Sequence, residues 1–146
     1  MEASLLAKIL IVEDNALNIK LFCDLLDAHG HQTEAVTDSR QAIASAHVFA
    51  PDIVITDIQL PHVSGIELIY LLRADPQLAH IPIMAVTAYS APGDEERIRA
   101  AGAQSYVTKP ISVIRFVAAV DDLISESAAV QPAESNQKGG PKPGTA

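Results

Sequence analysis

The chain has 146 residues, 49% hydrophobic and 19% charged, with 18 acidic against 10 basic side chains and a net charge of −8. That is one domain's length with ample apolar material for a core, which excludes a disordered chain or a coiled-coil rod. The acid excess argues against tight binding to nucleic acid or insertion at an anionic membrane, both of which need clustered Lys and Arg. The single cysteine, Cys23, rules out an internal disulfide and is read as an inert reduced thiol. The first residues lack a basic region and a long apolar stretch, and no run approaches the roughly 18 apolar residues of a membrane span, so a soluble cytoplasmic domain is expected.

In chain order, Ile9–Val12 is a continuous apolar run, read as a first strand covered on both faces. Leu17, Leu21, Phe22, Leu25 and Leu26 then mark a helix. Residues 32–36 are strand-like but more polar, and Ala42, Ile43 and Ala46 mark a second helix. Ile53–Ile55 is a third strand, followed by a helix through Ile66, Leu68, Ile69, Leu71 and Leu72, and by a fourth strand over Ile81–Val86. The segment 93–101 is a helix candidate with little apolar content beyond Ile98, and therefore the loosest one; Asp94, Glu95 and Glu96 complement its N-terminus. Residues 104–107 form a polar fifth strand, and Val113, Phe116, Val117, Val120, Leu123 and Ile124 a final helix. From residue 128 no period remains, so the domain is set at 1–127 and 128–146 is read as a disordered tail. Residues 1–127 hold eight basic and 17 acidic side chains, a net of −9, so the acid excess belongs to the folded part.

Five strands alternating with helices predict an α/β, doubly wound, five-stranded parallel sheet with helices on both faces. With the polar strands at the edges, the order is 2-1-3-4-5, flavodoxin-like, and ligands bind at the carboxyl ends of the strands. Those ends carry Glu13-Asp14-Asn15, Thr56-Asp57, Thr87-Ala88 and Thr108-Lys109-Pro110. Each has an ordinary reading: Asp14 or Asn15 as a helix cap, Asp57 as a turn residue, Lys109 as a solvated lysine, Pro110 as a helix-entry proline. Together, three acids delivered by separate segments repel one another unless cations sit between them. Lys109 supplies one charge and a divalent metal the rest; all-oxygen ligation suits Mg²⁺. An aspartate so placed can accept a phosphoryl group, and Asp57, on a central strand, is the best candidate. The five histidines show no metal-ligand spacing and are read as surface or turn residues.

The set Glu13-Asp14, Asp57, Thr87 and Lys109-Pro110 resembles the receiver domain of two-component response regulators, over residues 8 to about 125. The stretches Val12–Asn15, Asp57–Pro61, Ala85–Ala88, Gly93–Arg99 and Lys109–Ser112 are similar to cell-division members of that family, which implies a role in cell-cycle or cell-division control. The resemblance implies that Asp57 accepts a phosphoryl group from a histidine kinase or histidine phosphotransfer protein. It implies that Asp14, Asp57 and the backbone carbonyl of Gln59 hold Mg²⁺, with Glu13 acting through water. Lys109 would pair with the phosphoryl oxygens across a cis Lys109–Pro110 bond, and Thr87 would donate its hydroxyl to the phosphoryl group. Tyr106 would turn inward with Thr87, although an edge-strand tyrosine can equally be half-buried with its hydroxyl in water. Gln59 and Tyr89 would flank the phosphoryl group and set its lifetime.

The chain is thus expected to be a phosphoacceptor switch rather than an enzyme, with protein contacts as its output. The kinase would meet the face near the first helix, and an effector the face of helix 93–101, strand 104–107 and helix 111–126. An aspartate-dependent phosphatase of the haloacid-dehalogenase type would need a second acid where Gln59 stands. A flavodoxin-like electron carrier is disfavoured because Glu13 and Asp14 would repel a flavin phosphate.

Overall fold

A computed structural model describes residues 6–88 and 91–136. Tyr89 and residues 137–146 lie outside the described residues. The elements in chain order are β1 (Lys8–Val12), α1 (Ala16–Ala28), β2 (Gln32–Val36), a 3-10 turn (Ser39–Gln41), α2 (Ala42–Phe49), β3 (Ile53–Asp57), α3 (Gly65–Ala74), β4 (Ile83–Thr87), α4 (Asp94–Ala101), β5 (Ser105–Thr108) and α5 (Val113–Asn136). All strand pairs are parallel, in the order β2-β1-β3-β4-β5.

Side chains alternate across a strand, so each apolar run feeds both faces. Leu10, Val12, Val54, Ile83 and Ala85 pack with Ala46 and Phe49 of α2, Leu68 and Leu72 of α3 and Ile98 of α4. Ile9, Ile11, Ile53, Ile55, Met84 and Val86 pack with Phe22 and Leu26 of α1 and with Phe116, Val120 and Leu123 of α5. On that second face the Phe22 and Phe116 rings stack with centroids 5.0 Å apart. Every residue of β3 and β4 is buried, whereas β2 buries only Val36 and β5 buries none, the expected division between central and edge strands.

The chain departs from its sequence reading in four places. Ile81 lies outside β4, because Pro82 has no N–H to give to the ladder; Ile81 is buried in the core all the same, and the Pro82 carbonyl accepts from Val54 N–H at 3.0 Å. Leu17 is 78% exposed although it lies on α1, whose buried residues are Phe22 and Leu26. His31, read as a surface or turn residue, lies in the turn before β2 but is buried, at 7% exposure, and its Nδ1 accepts from Ala7 N–H at 3.1 Å. Finally, α5 passes residue 127 and continues to Asn136. Ala128, Ala129, Gln131, Ala133 and Glu134 have high helix propensity and extend a helix already nucleated by packing, with no apolar period of their own.

Candidate functional site

Parallel pairing brings the ends of β1, β3, β4 and β5 to one edge of the sheet, and the backbone ladder runs on just past them. Glu13 N–H donates to Val36 O (3.1 Å), Ile58 N–H to Val86 O (3.0 Å) and Lys109 N–H to Thr87 O (2.8 Å). The side chains that follow are therefore fixed by sheet geometry. Asn15 caps α1 by accepting from Asn18 N–H, leaving Asp14 exposed at the mouth of the site. Behind β3, Ser64 and Glu67 form a reciprocal capping box that starts α3.

Glu13 and Asp57 are buried, at 1% and 4% exposure. One oxygen from each of Glu13, Asp14 and Asp57 falls within a group spanning 4.8 Å. Lys109 Nζ bridges the two buried carboxylates, 2.8 Å from Asp57 Oδ2 and 3.3 Å from Glu13 Oε1. The remaining oxygens meet backbone amides: Gln59 N–H donates to Asp57 Oδ1 and Asn15 N–H to Glu13 Oε2, both at 3.1 Å. Burial first, and then the Asp57 charge, pushes the Glu13 carboxyl above its usual range, while the Asn15 amide and Lys109 pull it back. At Lys109 burial works against the charged form, but Asp57 and Glu13 outweigh it and hold the ammonium above an ordinary lysine. Three carboxylates around one ammonium remain a net acidic pocket, and its all-oxygen donors fit a hard divalent cation.

Thr87 is 1% exposed at the end of β4. Gln59 Nε2 donates to Thr87 Oγ1 at 2.9 Å, and the Thr87 hydroxyl donates to Gln59 Oε1 at 3.1 Å. Tyr106, on β5, is half-buried against the core face that carries α2, α3 and α4. The Lys109–Pro110 peptide bond is cis. Thus Glu13, Asp14, Asp57, Gln59, Thr87 and Lys109 converge, Tyr106 stands one strand over, and Tyr89 falls outside the described residues.

Sequence reasoning missed Gly65. A Cβ there would fall on the Asp57 carbonyl oxygen and 2.6 Å from Ile58 Cα, so the first residue of α3 presses on the backbone that carries Asp57. The available signal was a glycine directly after a helix-capping serine, where a better helix former would ordinarily stand.

The fold and site define a flavodoxin-like, doubly wound domain with a lysine-bridged acidic pocket at the carboxyl edge of its sheet. Residues 9–121 match the family profile described as response regulator receiver domain, and the chain belongs to that family. It is 45% identical over 119 residues to the polar-differentiation response regulator DivK of Brucella anthropi, a match covering 82% of this chain and 97% of that protein. Among solved structures it resembles the receiver domain of a signal transduction histidine kinase from Syntrophus aciditrophicus (32% identity, TM-score 0.76, covering 82% of this chain and 91% of that one). It also resembles the receiver domain of a sensor histidine kinase from Pseudomonas aeruginosa, solved with a magnesium ion coordinated in its active-site cleft (30% identity, TM-score 0.75, covering 82% and 98%).

Proposed function

We propose that the chain is a phosphorylation-operated switch that takes a phosphoryl group on Asp57 and signals through protein contacts. The observation that carries this reading is the Lys109 ammonium held 2.8 Å from a buried aspartate, with two further carboxylates beside it. An Asp57 carboxylate oxygen attacks the phosphorus of a phosphohistidine. The new O–P bond forms as the P–N bond breaks, and the imidazole nitrogen leaves with the electron pair and takes a proton from water. Lys109 stays within reach of the acceptor and offsets charge on the phosphoryl oxygens. Asp14, Asp57 and the Gln59 carbonyl would hold Mg²⁺, with Glu13 acting through water. When bound, that ion supplies the remaining positive charge that phosphoryl transfer requires.

Thr87 then donates its hydroxyl to the phosphoryl group, a charge-assisted hydrogen bond stronger than a neutral one, and Tyr106 follows it inward. Gln59 and Tyr89 set the lifetime of the phosphorylated form. The receiver unit is residues 1–127, with α5 running on beyond it to Asn136, and it works in the cytoplasm; among the described residues no helix is long and apolar enough to cross a membrane. A histidine kinase or phosphotransfer protein docks near α1, and an effector binds the α4-β5-α5 face. Similarity to DivK supports a role in cell-division control. The test is incubation with acetyl phosphate and Mg²⁺ followed by intact mass measurement. A gain of one phosphoryl group, absent in Asp57→Asn, is expected; no adduct with either acetyl phosphate or a phosphorylated histidine donor would overturn the reading.

A further inference from the structure

Gln59 touches both halves of the site. Its backbone N–H donates to Asp57 Oδ1 at 3.1 Å, while its side-chain amide forms a two-way pair with Thr87, at 2.9 Å and 3.1 Å. Its Oε1 also lies 3.4 Å from Ala88 N, a weak contact that reaches the first residue after β4. The residue before Gln59 is anchored through both its backbone groups: Ile58 N–H donates to Val86 O, and Ile58 O accepts from Gly65 N–H, both at 3.0 Å. The reach of the amide onto Thr87 is therefore set by the sheet, although Gln59 itself lies at the surface.

A threonine hydroxyl carries one proton. While that proton is directed at Gln59 Oε1 it is not available to a phosphoryl oxygen on Asp57, so the two hydrogen bonds are alternatives. We propose that Gln59 is a latch on Thr87: its amide holds the β4–α4 junction in the resting arrangement, and occupation of Asp57 must displace it. The inference rests on the phosphoacceptor reading and adds a role that precedes any effect of Gln59 on phosphoryl lifetime. A lifetime effect acts on water after phosphorylation, whereas a latch biases the two arrangements before it. Gln59 is thus a positioning residue acting through Thr87.

The experiment uses beryllofluoride with Mg²⁺, a phosphoryl mimic that binds without a hydrolysable bond, so lifetime does not enter. Affinity is read from amide NMR shifts in the full chain. Gln59→Met keeps the side chain's length and removes both polar atoms; loss of a partly buried neutral pair should tighten binding about three- to tenfold. In a Thr87→Ala background the same change should do nothing, and in a Thr87→Ser background, where the hydroxyl returns, the gain should reappear. Equal affinity of wild type and Gln59→Met, or an undiminished gain with Thr87→Ala, overturns the latch and leaves the phosphoacceptor reading standing. Failure of the wild type to take up either beryllofluoride or acetyl phosphate overturns both.

Discussion

Lys109 is the one cation of the described residues bridging Glu13 and Asp57, and replacing it with methionine isolates what it does for the fold. At an effective dielectric of about 20, unit charges at 2.8 Å and 3.3 Å attract by roughly 6 and 5 kcal/mol before desolvation. Most of that is cancelled by the cost of taking three charges out of water. What remains on truncation is the penalty of two buried carboxylates left facing each other, which for broken buried pairs is about 3–5 kcal/mol. The Lys109 side chain is 17% exposed, so some of its interaction is screened and the lower end, about 3 kcal/mol, is expected. The assay is urea denaturation in the presence of a chelator, where an m-value of about 1.5–2 kcal/mol per molar turns that loss into a midpoint shift of roughly 1.5–2 M. Acid should shrink the deficit. Glu13 is already raised above its unfolded value, and Lys109 is among the causes pulling it down, so the variant raises it further. A carboxyl whose folded pKa is raised binds its proton more readily in the folded state; its contribution is fully present below the unfolded value and is lost as pH rises through the folded one. The deficit at about pH 7.5 should therefore exceed that at about pH 5.5. A midpoint shift below about 0.3 M, or a deficit that widens on acidification, would refute the reasoning.

Three further predictions concern residues away from that bridge. Burial holds the His31 imidazole below its ordinary pKa, with Asp121 opposing and His29 adding to the shift, so stability is complete above about 6.5 and declines as pH falls towards the folded value; His31→Asn should flatten that slope in urea titrations, and an unchanged slope would count against it. Arg73→Met removes the donor to the carbonyls of Ala79, Ile81 and Gly102 and to Gln104 Oε1, and should cost about 2–4 kcal/mol by denaturation while speeding amide exchange at Gly102 and Ala103. Arg73→Lys should recover less than half, because an ammonium cannot reproduce the guanidinium fork; full recovery would show that charge rather than geometry matters. Gly65→Ala drives a methyl group into the Asp57 carbonyl and should cost about 3 kcal/mol in thermal or urea unfolding and slow uptake from acetyl phosphate; wild-type stability and rate would disprove the close approach.

The central strands were legible because they are apolar without interruption, and the edge strands because they are not. From that the strand order followed, and with it the convergence of Glu13, Asp14, Asp57, Thr87 and Lys109, since parallel strands deliver their ends to one side. What stayed hidden depends on contacts between distant segments. Gly65 looks like an ordinary helix start until the Asp57 backbone is laid against it. Arg73 looks like a solvated helix residue, yet it binds the Gly102 carbonyl 29 positions away. Gln59 was placed beside the site, but no local pattern announces that its amide closes on Thr87. Leu17 misled in the other direction, because the period of α1 marks a face without saying how far along the helix that face is covered.

These contacts also say where the molecule can yield. β3 and β4 are wholly buried, so Asp57 and Thr87 stand on strands that cannot shift without disturbing both faces of the core. α4 buries only Ile98 and Ala101, both in its second half. Its C-terminal end is clamped: Arg73 binds Gly102 O at 2.6 Å, and Gly102 and Ala103 donate back to Arg99 and Ile98. Its N-terminal end begins at Gly93 without a side-chain cap from that residue, and among the described residues the side-chain ties there are local ones through Asp94, which accepts from Arg97 at 2.8 Å and from Ala91 N–H at 2.7 Å. Anchorage thus weakens from the clamped end towards the segment that leaves Thr87. Should Thr87 move as proposed, α4 is expected to tilt about its Arg73 end rather than slide as a body, with the displacement greatest in the first turn. That turn carries the exposed Glu95 and Glu96 beside the half-buried Asp94, so such a movement would re-aim carboxylates at the surface.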